Sequence, residues 1–184
     1  MIPMVGNRSD KPFFIRPGRP GDALAILEAH RSSVRGIAAD AYSPEIVDSW
    51  APVSISPDRV AAFTRSIERH DEVVLVAEDA TGRIIGFGSI VPENSELRAL
   101  YVSAEHARKG VGRAILSELE ALAREAGVTA LRMDSSVNAA GFYEANGYIA
   151  IEHGEHTLQS GVRMACVRMR KSLHSEAGPR KSAG

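Results

Sequence analysis

The chain has 184 residues, long enough for one well-cored domain and short for two; its 44% hydrophobic and 24% charged content is that of an ordinary globular protein. With 22 Lys and Arg against 23 Asp and Glu, a formal charge of -1 argues against a general electrostatic hold on nucleic acid or on an anionic membrane. No apolar run reaches the roughly 18–20 residues of a membrane span, no secretory core opens the chain, and the lone Cys166 forbids an internal disulfide, so the expected location is cytoplasmic.

Residues 1–12 are polar and punctuated by Pro, and read as a loose lead-in. Phe13 to Arg16 forms a short first strand. Asp22 is placed to cap a helix whose Leu24, Leu27, Arg31, Val34 and Ala38 recur at helical spacing. Between Tyr42 and Pro52, the segment holding Trp50 mixes helix-start and breaker signals. A second helix runs from Pro57 to Arg69, with Asp58 in its first turn. Glu72 to Glu78 is a β-branched strand, Ala80 to Arg83 a turn, and Ile84 to Val91 its hairpin partner. The strand Leu97–Val102 follows Pro92 to Ser95. A long amphipathic helix, Val111 to Ala126, aligns Ile115, Leu119, Leu122 and Ala123 and is stopped by Gly127. The strand Ala130–Asp134, a short helix near Ala139 to Ala145, and closing strands near Tyr148–His153 and Arg163–Arg170 complete the order. Cys166 lies in the last strand, where a buried, inert thiol is expected. From His174 the tail reads as flexible. No repeat or linker divides the chain, so a single domain over residues 13–173 is expected.

The segment Ala107–Ile115 is where the chemistry concentrates. It sets Gly110 and Gly112 beside Arg108, Lys109 and Arg113 at the hand-over from strand to helix. A helix start exposes unpaired N–H groups and a positive dipole end, and glycine lets a ligand come close, so the segment suits phosphate or pyrophosphate. A dinucleotide fingerprint would need glycine at position 115, which is Ile115. A nucleotide P-loop would need Gly-Lys-Ser/Thr, whereas Gly112 precedes Arg113 and Ala114. A helix-start turn with solvated Arg and Lys is the plain alternative.

The run Glu96–Leu116 resembles the acetyl-CoA-binding segment of the GNAT superfamily of N-acetyltransferases. Downstream, Asn138-Ala139-Ala140-Gly141-Phe142-Tyr143-Glu144 with Gly147-Tyr148 is similar to that family's Asn-Ala-x-x-Phe-Tyr-Glu-x-x-Gly-Phe motif. The resemblance implies an α/β (α+β) GNAT fold with a central, mixed, mostly antiparallel and splayed sheet flanked by helices. It also implies acetyl-CoA as cosubstrate, with no metal. The family's loop usually opens on Gln or Arg, where this chain has Ala107. The phosphates then fall to the backbone N–H groups of Arg108, Lys109, Gly110, Val111, Gly112 and Arg113, the cations adding charge.

By the same resemblance, the pantetheine arm lies along Leu100, Tyr101 and Val102 like an added strand, flanked by Asn138 and Phe142. A backbone N–H near Val102 would then polarise the thioester carbonyl. Tyr143 takes the family's position for the acid that protonates the departing thiolate, a packing tyrosine being the alternative. Glu96 stands where family members carry a base; a salt bridge to Arg98, or supply of free amine from solution, are its competitors. His30, Arg35, Tyr42 and Trp50 are candidates to shape the acceptor site, and each is equally a core or surface residue. His153 and His156 lack the further ligands a metal site needs.

The implied activity is acetyl transfer to a primary amine, of a small molecule or a peptide, by direct attack in a ternary complex. A CoA-binding sensor or interaction module without turnover is the alternative. No nucleic-acid or membrane partner is expected, and a homodimer stays open.

Overall fold

The structure, a computed structural model, describes residues 12–173, so the lead-in before Pro12 and the tail from His174 lie outside the described residues. The elements alternate as the sequence patterns require. Strand β1 (Phe13–Pro17) leads to α1 (Ala23–Ser33), α2 (Pro44–Trp50) and α3 (Pro57–Arg69). Strands β2 (Val73–Asp79), β3 (Ile84–Val91) and β4 (Glu96–Val102) follow as a meander, and α4 (Val111–Glu125) returns the chain to β5 (Ala130–Ser136). A short α5 (Ala140–Ala145) precedes the hairpin of β6 (Ile149–Thr157) and β7 (Arg163–Ser172). The seven strands form one sheet in the order β1-β2-β3-β4-β5-β7-β6. All neighbours are antiparallel except β4 and β5, which are parallel.

Three local readings change. The ambiguous Tyr42–Pro52 stretch resolves as α2, because Ser43 accepts from the Ile46 N–H and Pro44 occupies the first turn. Asp22 precedes α1 without capping it through its side chain; its carboxylate is drawn instead to Arg16 at 2.6 Å and to the Arg19 N–H at 2.8 Å. The fifth strand runs on to Ser136 and the sixth to Thr157, each past the expected end, because β7 offers them continuous partners.

Helices cover the sheet unequally. On one face, α4 packs through Ile115 and Leu119 onto β3, where Gly86 and Gly88 leave room. A Cβ at Gly88 would stand 2.8 Å from Leu119 Cδ1 and 3.0 Å from the Ala99 carbonyl oxygen. This face holds the main core, with Leu97, Val111, Ile115, Leu119, Leu131, Tyr143, Tyr148, Val167 and Met169. On the other face α1 and α3 bury Ile26, Ile67, Val76 and Phe87. A π turn, Val34–Ala38, continues α1, and its Gly36 passes so close to the segment after β4 that a Cβ there would lie 2.5 Å from Ala104 Cβ. Glycine at this point lets the two loops touch.

The feature that makes a site is the parting of β4 from β5. Their register contains a single pair, Glu96 with Arg132, supported by an Arg132 N–H bond to the Ser95 carbonyl at 2.9 Å. Beyond it the strands diverge. A bulge precedes the divergence: Ser89 faces Ala99 and Ile90 faces Leu97, leaving Arg98 as an extra residue in β4. The extra residue reverses the strand's parity. Leu97, Leu100 and Val102 therefore all join the α4 side, whereas Ala99 and Tyr101 turn to the α1 side.

Candidate active site

The glycine segment takes the shape its residues demand. After a short turn at Ala104–His106, Arg108 adopts φ 60 and Gly110 φ 82, both left-handed, and α4 starts at Val111. A non-glycine residue there is strained by roughly 1–2 kcal/mol, and Arg108 is held to it by the anchored turn before it. Ser103 donates its N–H to the Ile85 carbonyl at 2.9 Å, its hydroxyl meets His106 Nδ1 at 2.9 Å, and the Ala104 N–H reaches Ser32 Oγ at 3.1 Å. Gly110 caps α4 with no side-chain hydrogen bond, and no acidic residue enters the first turn. The first N–H groups of α4 are thus left for an anion. Arg108, Lys109 and Arg113 are exposed around them.

A second set of open groups lies along β4. The Ser103 N–H points to β3, and alternate amides of an antiparallel strand point the same way. The Tyr101 amide therefore faces β3 as well, and those of Leu100 and Val102 face the gap, where β5 supplies no registered partner. Unpaired backbone groups in the middle of a sheet call for a partner. An extended chain carrying amide groups can pair with them.

The two sets converge on α5. A Cβ at Gly112 would touch both Phe142 and Val102 at 3.5 Å, so the start of α4, the end of β4 and the first turn of α5 meet around one glycine. Tyr143 packs edge-on against Phe142 at 5.1 Å and against Tyr148 at 5.5 Å, and is only 4% exposed. Burial raises its phenol above the ordinary value, so the group stays protonated. Among the described residues two sealed side-chain polar atoms lack a partner, Ser89 Oγ and Tyr148 Oη, and the Tyr143 hydroxyl is not one of them. Asn138 is exposed in the turn before α5.

The opposite side of the gap has another chemistry. Tyr101, expected along the cofactor, turns its ring to the α1 face, 4.5 Å from His30 and 6.1 Å from Trp50, and stacks on Phe87 at 5.5 Å. Burial pushes its phenol up to about 12. Tyr101 thus belongs to the wall on the α1 side, because the bulge at Arg98 fixed its parity. Tyr42 spans the opening: its hydroxyl accepts from the Val137 N–H and donates to the Ala165 carbonyl, both at 2.8 Å. Arg35 is committed to the Ala51 carbonyl and to Asp48, so it braces α2. His30 is buried, and burial with the nearby Arg59 charge lowers its imidazole to about 4.

Glu96 lies at the paired end of β4 and binds Arg98 Nη2 at 3.0 Å, the arrangement of the ion-pair alternative. Across the gap, Leu131 and Met133 face the α4 core, so Asp134 turns to the face that carries Tyr101. Its carboxylate holds His156 Nδ1 at 3.2 Å and lies 3.8 Å from Arg168 Nε. No spacing in the sequence signals this pair, which joins non-adjacent strands. Among the described residues no three His, Cys, Asp or Glu are grouped to hold a metal ion, and no helix is long and apolar enough to cross a membrane.

Comparison with known proteins agrees with this geometry. The profile of the acetyltransferase (GNAT) domain family matches residues 38–173. The spermidine N(1)-acetyltransferase of Thermoplasma acidophilum is 26% identical over 133 residues, which span 69% of this chain and 82% of that protein. A GCN5-related N-acetyltransferase of Rhodopseudomonas palustris has a similar structure at 29% identity and a TM-score of 0.78, covering 91% of this chain and 99% of the other. The PaiA N-acetyltransferase of Thermoplasma acidophilum, solved with coenzyme A, aligns at 25% identity and a TM-score of 0.65, over 87% of this chain and 98% of its own. This chain belongs to the GNAT family and is an acetyl-CoA-dependent N-acetyltransferase.

Proposed function

We propose that the enzyme passes acetyl directly from acetyl-CoA to a primary amine of a small molecule, with both substrates bound at once. The observation that carries this reading is the single-pair register between β4 and β5, which opens a slot through the sheet with different chemistry on its two faces. The start of α4 and the Leu100 and Val102 amides would hold the cosubstrate from one face. Tyr42, Trp50 and Tyr101 border the approach from the other. Acetyl-CoA, when bound, supplies the activated acyl group.

The protein's own part is positional and protonic. The Val102 or Leu100 N–H donates toward an acyl oxygen lying in the slot and favours the charge that gathers there during attack. The Tyr143 phenol, kept protonated by burial, gives its proton to the leaving sulfur. Glu96 remains with Arg98 and stiffens the base of the slot. The lone Cys166 is buried, and burial raises its thiol pKa, which disfavours a thiolate able to carry acetyl. A small aliphatic polyamine is the first acceptor to examine, because a relative of this chain is a spermidine acetyltransferase.

Replacement of Tyr143 by Phe keeps the ring and removes the proton. Turnover should fall about 10²-fold, with acetyl-CoA affinity by calorimetry unchanged. Full activity in the variant would return Tyr143 to a packing role.

A further inference from the structure

We propose that His156, held by Asp134, is the general base that takes the proton from the acceptor ammonium. The inference rests on the amine-acetylation reading above and adds the missing half of its proton transfer. An alkyl ammonium has a pKa of about 10, so an acceptor arriving near neutrality carries a proton that must leave before attack. Glu96 is occupied by Arg98. His30 is buried and lowered to about 4, too weak a base for the task.

His156 has the right surroundings. A carboxylate only accepts, so the 3.2 Å contact with Asp134 Oδ2 places the proton on Nδ1 and leaves the Nε2 lone pair bare. Asp134 stands on β5 at the lip of the slot, on the same face as Tyr101. In a flat sheet His156, opposite Met164 near the hairpin tip, would lie far from Asp134. The contact forms because the β6–β7 hairpin coils over this face, bringing Ser160 at its tip against Ser49 of α2. The two side chains stay open to an incoming ligand, at 48% and 37% exposure.

The charged and titratable groups sharing this face come from β5, β6 and β7. Arg168 from β7 is bound to Glu152 of β6 and approaches Asp134 at 3.8 Å. Arg132 of β5 and Arg170 of β7, opposite each other in register, share this face by alternation, whereas Glu155 of β6, paired with Arg163 at 2.8 Å, alternates to the other face. The Cys166 thiol is buried beneath, and the Tyr42 hydroxyl is already bonded to backbone.

In the step, an ammonium N–H bond breaks and its proton joins His156 Nε2, where Asp134 stabilises the imidazolium. The freed nitrogen pair forms the C–N bond as the C–S bond breaks, and the sulfur, leaving with that electron pair, receives the Tyr143 proton. A second proton, lost from nitrogen as the amide forms, restores Tyr143 by way of solvent, and the one on His156 passes to solvent.

The test measures thiol release from acetyl-CoA with spermidine, putrescine and lysine across the neutral pH range. His156→Ala should lower kcat/KM about 10²-fold, leave the KM for acetyl-CoA unchanged and change the shape of the pH–rate profile. Added imidazole should restore part of the rate. Asp134→Asn should give a smaller loss with the same change of profile. A His156→Ala profile identical to wild type, or a loss appearing in Glu96→Gln instead, overturns the assignment and leaves acetyl transfer intact. No release by the wild type with any of the three amines overturns the small-amine reading, and this inference with it.

Discussion

His30 is an ionisable side chain from which the fold has removed water. It sits at 7% exposure between Tyr101 and Trp50, and burial lowers its pKa from 6.5 to about 4. A depressed pKa means that the unfolded chain binds the proton more readily, so the contribution is complete above pH 6.5 and is lost as pH falls toward about 4. At pH ~4.5 the wild type should have lost roughly 2–3 kcal/mol through this group, since each tenfold weakening of proton binding on folding is worth about 1.4 kcal/mol. His30→Leu, compared with wild type in urea titrations at neutral and acid pH, should flatten that part of the curve. Equal acid sensitivity in the two proteins would show that His30 is not buried in neutral form. Tyr143 has the opposite sign: its raised phenol keeps its full contribution below pH 10 and loses it only above. Neither environment shows in the local sequence. His30 follows a helical pattern that solvent or core satisfies equally, and only the aromatic residues arriving from α2 and β4 decide.

At the scale of elements, local pattern is a good guide wherever one stretch of chain sets its own shape. The third helix is capped by Ser56 and stops at a left-handed His70, matching the Pro57–Arg69 span read from its composition. The start of α4 is legible for the same reason, since Gly110 and its cations act through their own backbone. What local pattern does not disclose is the extra residue at Arg98. A bulge arises from a disagreement in register between two strands, and β4 by itself looks regular. Yet that residue decides that Tyr101 faces α1 and that Val102 faces α4. The contact of α4 with β3 is also a property of two elements. Gly88→Ala places a methyl 3.0 Å from the Ala99 carbonyl, which belongs to a paired strand and cannot give way. The variant should lose roughly 1–3 kcal/mol in urea denaturation. A stability equal to wild type would mean that α4 rides farther from the sheet than the structure has it.

At the largest scale, two half-sheets share the core beneath α4. β1 to β4 form one half and β5, β7 and β6 the other, joined in register only by Glu96 and Arg132. Helix α4 ties the halves on one face through a buried carboxylate: Glu120 pairs with Lys171 of β7 at 2.7 Å, and Arg124 donates to the Leu173 carbonyl at 3.0 Å. Tyr42 ties them on the other face through Val137 and Ala165. The slot is therefore held open by structure on both sides, as the proposed direct transfer between two bound substrates requires. A single-turnover experiment tests this most directly, with enzyme in excess over acetyl-CoA, followed by free-thiol release and by the mass of the protein. Without amine, no thiol should appear and the protein mass should not change; adding spermidine should release one thiol for each acetylated amine formed. A burst of thiol in the absence of amine, with acetyl found on the protein, would contradict direct transfer.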